Sequence, residues 1–352
     1  MKKKYILPLL LLVQIIGLRV LALFPEFVER FYTNGFYRVI SGAERTLLGW
    51  IPFSVGDVCY AVLIVLAMRW VWKNRKTFKA QWKDNLLKIL SAVSVFYFFF
   101  NLFWGLNYLR VKLPEKLDIA TKYNNAELLD FTEKLIAKTN AIQLELTKCD
   151  TARVVFPYSQ QQVFEKNLDG YAALAKTSGS FHYDRPSVKA SLFSYPLTYM
   201  GFGGYLNPFT NEAHVNDRLP MYGFPMTAAH EMAHQIGYAS ESEANFVGFL
   251  ASVKNDDLYF KYAGYTTALK YCLGNWEVRD EKTLKTLLKT INPGVRKNFQ
   301  DSKLFWESYE TFIEEGFKIF YHNFLKLNQQ EGLESYSRFV DLLVNYYRNR
   351  AL

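Results

Sequence analysis

Three long apolar runs fill the first third of the chain, and helically spaced polar and apolar residues fill the rest. The first run, Tyr5–Phe24, is interrupted only by Arg19 near one end, where a long side chain can snorkel to an interface. The second, Ile51–Trp72, carries Asp57 and Arg69 near opposite ends, and the third, Ile89–Leu109, carries no charge. At 1.5 Å per residue each can cross a hydrocarbon core of about 30 Å, so three transmembrane helices are predicted at about 5–24, 51–72 and 89–109. A leucine run after Met-Lys-Lys-Lys also reads as a signal peptide. No small-x-small cleavage site follows it, and a retained span is the expectation.

Beyond Arg110 the pattern is that of one soluble domain, expected over residues 110–352 after a membrane anchor over 1–109. Ala126–Leu146 and Gln160–Lys176 have helical periodicity. Ser191–Tyr205 mixes aromatic residues with Gly and Pro and predicts short strands and turns. Asn211–Asn216 predicts a further strand. Helices resume at Thr227 and include Leu304–Leu327 and Tyr336–Arg348. The fold class is therefore α+β, helix-rich with a small sheet.

Composition fits this division. The chain is 50% hydrophobic and 21% charged with a mean hydropathy of −0.07, too apolar for an ordinary soluble protein and too polar for a many-span transporter. Its net charge of +9 suggests nucleic acid until it is located. Lys2, Lys3 and Lys4 supply +3, and six basic residues between Lys73 and Lys88 against Asp84 supply +5. Both clusters flank apolar runs, which is the positive-inside pattern; no nucleic-acid partner is expected. The N-terminus and the Lys73–Lys88 loop are then cytoplasmic, and everything after about Arg110 is extracytoplasmic. The lipid bilayer is an expected partner, and oligomeric state is not legible. Cys59, Cys149 and Cys272 are too few for a zinc ribbon; Cys149 and Cys272 can pair only if the fold brings them together.

The candidate chemistry lies in His230-Glu231-Met232-Ala233-His234. On a helix, residues i and i+4 share a face, so two imidazoles at this spacing can bind one zinc ion. Glu231 falls about 100° further round, suited to a general base that does not ligate. Pro225 and a possible N-cap at Thr227 precede the motif, and Gly237 stands where a left-handed residue would end the helix. A third histidine three residues after Gly237 is missing, because position 240 is Ser240. The third metal ligand is expected at Glu241, with Glu243 as its rival. Asn245, four residues after Glu241, can support a ligand. Gly201, Gly203 and Gly204 lie ahead of the motif helix and permit close backbone approach. His214 reads as a transition-state donor or, more simply, a strand histidine. Donors opposite the base are sought among Tyr222, Tyr238, Tyr321 and Tyr336, with Tyr336 taken as the catalytic candidate.

The stretch His230–Leu250 (HEMAHQIGYASESEANFVGFL) resembles gluzincin-type metallopeptidases, whose third ligand is a Glu in an E-x-x-A-D or E-x-x-A-N helix. With the three apolar runs, the GYLNPFTNEAHVN segment and the tyrosine-rich C-terminal helices, the chain more closely resembles a bacterial membrane family, domain-of-unknown-function family 3810. The resemblance implies a zincin-like domain, a zinc cofactor and peptidase activity on a protein or peptide. It implies His230, His234 and Glu241 as ligands and Glu231 as general base. Where some gluzincins have Asp, this chain has Asn245, which weakens a role through charge at position 245 and leaves hydrogen bonding open. Two alternatives share these residues: a zinc hydrolase of a non-protein envelope substrate, such as an amidase, and a membrane-tethered scaffold with an inactive metal site.

Overall fold

A computed structural model of the chain describes residues 3–328 and 335–352, the side chains of residues 3 and 335–337 excepted. It is α+β and helix-rich. Helix α1 (Ile6–Leu21) is followed by the short α2 (Pro25–Phe27), a π-helical segment Val28–Phe36, and α3 (Tyr37–Leu48). The chain then runs through α4 (Val55–Asn74) and α5 (Trp82–Phe103). The remainder contains α6 (Leu113–Leu117), α7 (Asn125–Thr147), α8 (Gln160–Ala175), β1 (Val188–Ala190), α9 (Ser194–Tyr199), β2 (Gly204–Leu206) and β3 (Ala213–Val215). It closes with α10 (Phe224–Gln235), α11 (Glu241–Lys254), α12 (Leu258–Arg279), α13 (Glu281–Thr290), α14 (Pro293–Glu307), α15 (Phe312–Leu327) and α16 (Ser335–Tyr347).

Among the described residues, α4 and α5 are long and apolar enough to cross a membrane. The first apolar run differs from the expected single span. Helix α1 has 16 residues, about 24 Å, and the chain bends by 100° before Pro25. Proline lacks an N–H and disfavours helix in the residue before it, so the run breaks there. The bent pair counts as a third span only if taken as one unit. The N-terminus meets the loop between α4 and α5 through a Lys4–Asp84 ion pair at 2.8 Å. The opposite ends of α4 and α5 meet the C-terminal domain.

That meeting is made by buried polar contacts. Ser54 caps α4, accepting from Asp57 N, and its Oγ lies 2.8 Å from His214 Nε2 on β3. Asp57 accepts from Ser191 Oγ, Leu192 N and Tyr205 Oη. Glu212 accepts from Gly56 N at 2.6 Å and from Lys189 Nζ at 2.5 Å. A carboxylate against the first N–H groups of a helix is favoured by the helix dipole and satisfies orphan donors. His214 is thus a joint between sheet and membrane helix, as the simpler reading of it held.

The sheet has strand order β1-β3-β2, with β1 parallel and β2 antiparallel to β3. Helix α10 packs between this sheet and a helical core of α7, α8, α11, α12 and α16, filled by Met232, Phe246, Phe249, Tyr262, Leu269 and Phe339. Helices α7 and α8 start where the pattern predicts, each closed by a capping box, Asn124 with Glu127 and Ser159 with Gln162. Three expectations fail. Ser194–Tyr199 is helix rather than strand or turn. Leu304–Leu327 is two helices, parted where the Thr311 side chain caps α15. Helix α10 begins at Phe224 with Pro225 in its first turn, so Thr227 lies inside the helix and is not its cap. Cys149 is exposed and Cys272 buried, and both are free thiols.

Candidate metal centre

The motif helix ends where Gly237 takes φ +89°, and Tyr238 N bonds back to Ala233 O. This left-handed turn folds α11 against α10. Gly248 lets the two helices touch: a Cβ there would stand 2.9 Å from His230 N. Glu241, in the first turn of α11, is thereby set facing α10.

Its carboxylate meets both imidazoles. Glu241 Oε2 lies 3.3 Å from His230 Nε2, and Oε1 lies 3.7 Å from His234 Nε2. The two rings stand nearly perpendicular with centroids 4.7 Å apart. The donor atoms of His230, Glu231 and His234 all lie within 4.8 Å of one another. For bonds of 2.0–2.1 Å at tetrahedral angles, ligand atoms are about 3.3–3.4 Å apart. The Glu241 contacts at 3.3 and 3.7 Å are close to that spacing, and two imidazoles plus one carboxylate are a donor set that fits zinc.

The supporting contacts favour the same arrangement. His234 Nδ1 is 2.6 Å from the Tyr238 carbonyl, which can only accept, so Nδ1 carries the proton and Nε2 keeps its lone pair. Tyr321 on α15 donates to Glu241 Oε1 at 2.5 Å. Asn245 stands beside His230 and Tyr271. Burial, followed by the charge of His230, pushes the His234 imidazole down to about 4. Burial alone would raise Glu241, but His230, His234 and Tyr321 hold its carboxyl down to about 2. Burial pushes the Glu231 carboxyl up to about 8. Glu231 Oε2 is buried with no hydrogen-bond partner among the described residues, an orphaned acceptor that fits a water or substrate proton beside the histidines.

The other expected residues fall elsewhere. Glu243 Oε1 accepts from Leu113 N at 2.6 Å and lies near Arg110, so it caps α6 rather than facing the histidines. Tyr238 is fully buried, its hydroxyl on Ser180 O and its ring under Arg110. Tyr222 lines a neighbouring cavity with Ser302 and Trp306. Tyr336 lies outside the described side chains; of the other three, Tyr321 reaches the Glu241 carboxylate. The membrane-proximal segments also reach it, which sequence spacing did not signal. Trp104 stands edge-on to His234 at 5.8 Å, and Tyr37 donates to the Gln235 carbonyl at 3.0 Å. The histidines, Glu231 and Glu241 line a cavity of about 940 Å³ together with Gly203, Gly204 and Tyr271.

A family model described as Protein of unknown function (DUF3810) matches residues 32–344. The chain belongs to this family. The match starts within the π-helical segment, after α1 and α2, and takes in α3, α4, α5 and the histidine pair. No curated protein and no solved structure matches the chain.

Proposed function

We propose that the protein is a membrane-anchored zinc-dependent peptidase. The observation that carries this reading is the Glu241 carboxylate facing both His230 and His234 at ligand spacing, with Glu231 beside them in a large cavity. His230, His234 and Glu241 would hold zinc. Bound there, the ion would supply a Lewis acid that lowers the pKa of water towards neutrality and polarises a carbonyl.

The chain's own groups supply the rest. Glu231 takes the proton of the attacking water and returns it to the leaving amine. Its buried surroundings favour the protonated form and so suit the second half of that exchange. Strand β2 is an edge strand lining the same cavity, and its second edge has no strand partner among the described residues. An extended peptide can add to that edge through backbone hydrogen bonds. Tyr321 acts as a positioning residue by fixing the Glu241 carboxylate.

The deciding experiment is metal content of the full-length protein by elemental mass spectrometry, followed by incubation with a mixed peptide library. One zinc per chain, lost in His230→Ala, together with cleavage that Glu231→Gln abolishes, is expected. Wild-type protein that takes up no zinc after reconstitution would overturn the reading.

A further inference from the structure

The cavity does not end at the domain. Its wall continues along the membrane helices, through Leu11, Ile15 and Leu18 on α1 and Val93, Phe96 and Phe100 on α5. Spacings of three and four residues put each trio on one helix face. Arg19, in the last turn of α1, lines the same space beside Tyr97 at its polar end. Along α5, Val93 to Trp104 is about 16 Å, roughly half the thickness of a hydrocarbon core. Trp104 lines the cavity and also touches His234, so one space joins the reacting centre to the depth of a single leaflet. Helix α15 roofs it. Tyr321 and Phe324 face inward, while Phe312 and Ile319 remain 83% and 66% exposed, an apolar outer surface suited to lipid.

What fills this arm is limited by its chemistry and size. An extended peptide in it would set most of its backbone N–H and C=O groups against Leu, Ile, Val and Phe, with Arg19, Tyr97 and Asn101 as the polar neighbours along α1 and α5. A transmembrane helix satisfies its own backbone, but it is about 10–12 Å across, and α1 and α5 are packed directly together, Gln14 Nε2 3.2 Å from Ser94 Oγ, with α15 already over the groove and Phe324 against Phe100. A single hydrocarbon chain meets both limits.

We propose that the arm between α1 and α5 receives one acyl chain, and that the preferred substrate is an acylated peptide held in the leaflet. The bond cut lies within a few residues of the acylated end, because the arm opens directly onto His234 and Glu231. This rests on the hydrolase reading above and leaves its chemistry unchanged: water adds across an amide, giving a carboxylic acid and an amine.

The test uses the full chain in phosphatidylcholine–phosphatidylglycerol vesicles and three probes. These are a mixed peptide library, the same library with an N-terminal palmitoyl chain carrying a mid-chain diazirine, and a single-span transmembrane peptide. Photolysis without added zinc is expected to crosslink the palmitoyl chain to α1 and α5 near Ile15 and Phe96. With zinc, the palmitoyl library is cleaved in preference to the plain one. Val93→Trp, which fills part of the arm, lowers that preference several-fold towards the rate of the plain library. Crosslinks in the arm without cleavage of any probe would remove the peptidase reading and support the lipid arm. Equal cleavage of the plain and palmitoyl libraries, crosslinks elsewhere, or preferred cleavage of the transmembrane peptide would overturn the inference and leave the peptidase standing.

Discussion

The Glu231 carboxylate stands where a side chain on Gly204 would have to go. A Cβ at Gly204 would lie 2.7 Å from Glu231 Oε1 and 2.6 Å from the His214 carbonyl. The glycine ahead of the motif therefore brings strand β2 and the candidate base together. A base displaced by about 1 Å costs on the order of 100-fold in rate. Gly204→Ala is expected to keep its zinc and lose roughly that much activity. Gly179→Ala, where a Cβ meets nothing within 4 Å, is the control. Peptide hydrolysis and metal content measured together check this; full activity in Gly204→Ala would show that Glu231 need not sit against β2.

Tyr321 should act on the metal through Glu241. Its hydroxyl is 2.5 Å from Glu241 Oε1, and groups that orient a ligand typically contribute 10- to 100-fold in affinity. Tyr321→Phe is expected to weaken zinc binding by roughly that factor without changing the melting temperature in the metal-free state. Competition with a zinc chelator reads the difference directly. Unchanged affinity would mean that the contact only docks α15.

The parts legible in the sequence were those set by local spacing. The i, i+4 histidines, the glycine stop and the acidic residues after the turn all follow from helix geometry within a dozen residues, and of the two carboxylates it is Glu241 that faces the histidines while Glu243 turns to Leu113. Contacts between distant segments were not legible. Nothing near Trp104 or Tyr37 in sequence marks them as neighbours of His234, which they meet across more than a hundred residues. Tyr321 could not be separated from the other tyrosines for the same reason. The bend before Pro25 was hidden by a hydropathy signal that counts apolar residues and ignores where the backbone turns.

Stability should fall in acid through Glu212. Burial alone would raise this carboxyl, but His214, Lys189 and the Gly56 N–H hold it down to about 2, below its ordinary value of 4.5. A group depressed in the folded state stabilises the fold fully above its unfolded value, and that contribution is lost as pH falls from about 4.5 towards 2. Glu212→Gln removes the titration. It is expected to be less stable than wild type at neutral pH and to lose less on acidification across that window. Thermal melts in detergent from pH 7 to 3 test this; parallel pH dependence in the two proteins would assign the acid sensitivity to other groups.

The segments before Arg110 are packed into the candidate site rather than standing apart from it. Cutting the chain before Arg110 removes Tyr37, which donates to the Gln235 carbonyl and accepts from Asn211, and Trp104, which covers one edge of His234. It also strips Glu29 from Arg110, whose guanidinium bonds that carboxylate at 2.9 Å and the Gly237 carbonyl at 2.8 Å, at the turn that sets α11 against α10. The Glu29 carboxylate is shared by Arg110 and Lys116, so removing it loosens both at that turn. Residues 110–352 alone are therefore expected to unfold at lower temperature and to bind zinc more weakly than the full chain. Arg110→Ala in the full chain is expected to reproduce part of the loss. Parallel zinc titrations of the three proteins decide the matter: equal affinity in the excised domain would show that the ligand set is held by α10 and α11 alone.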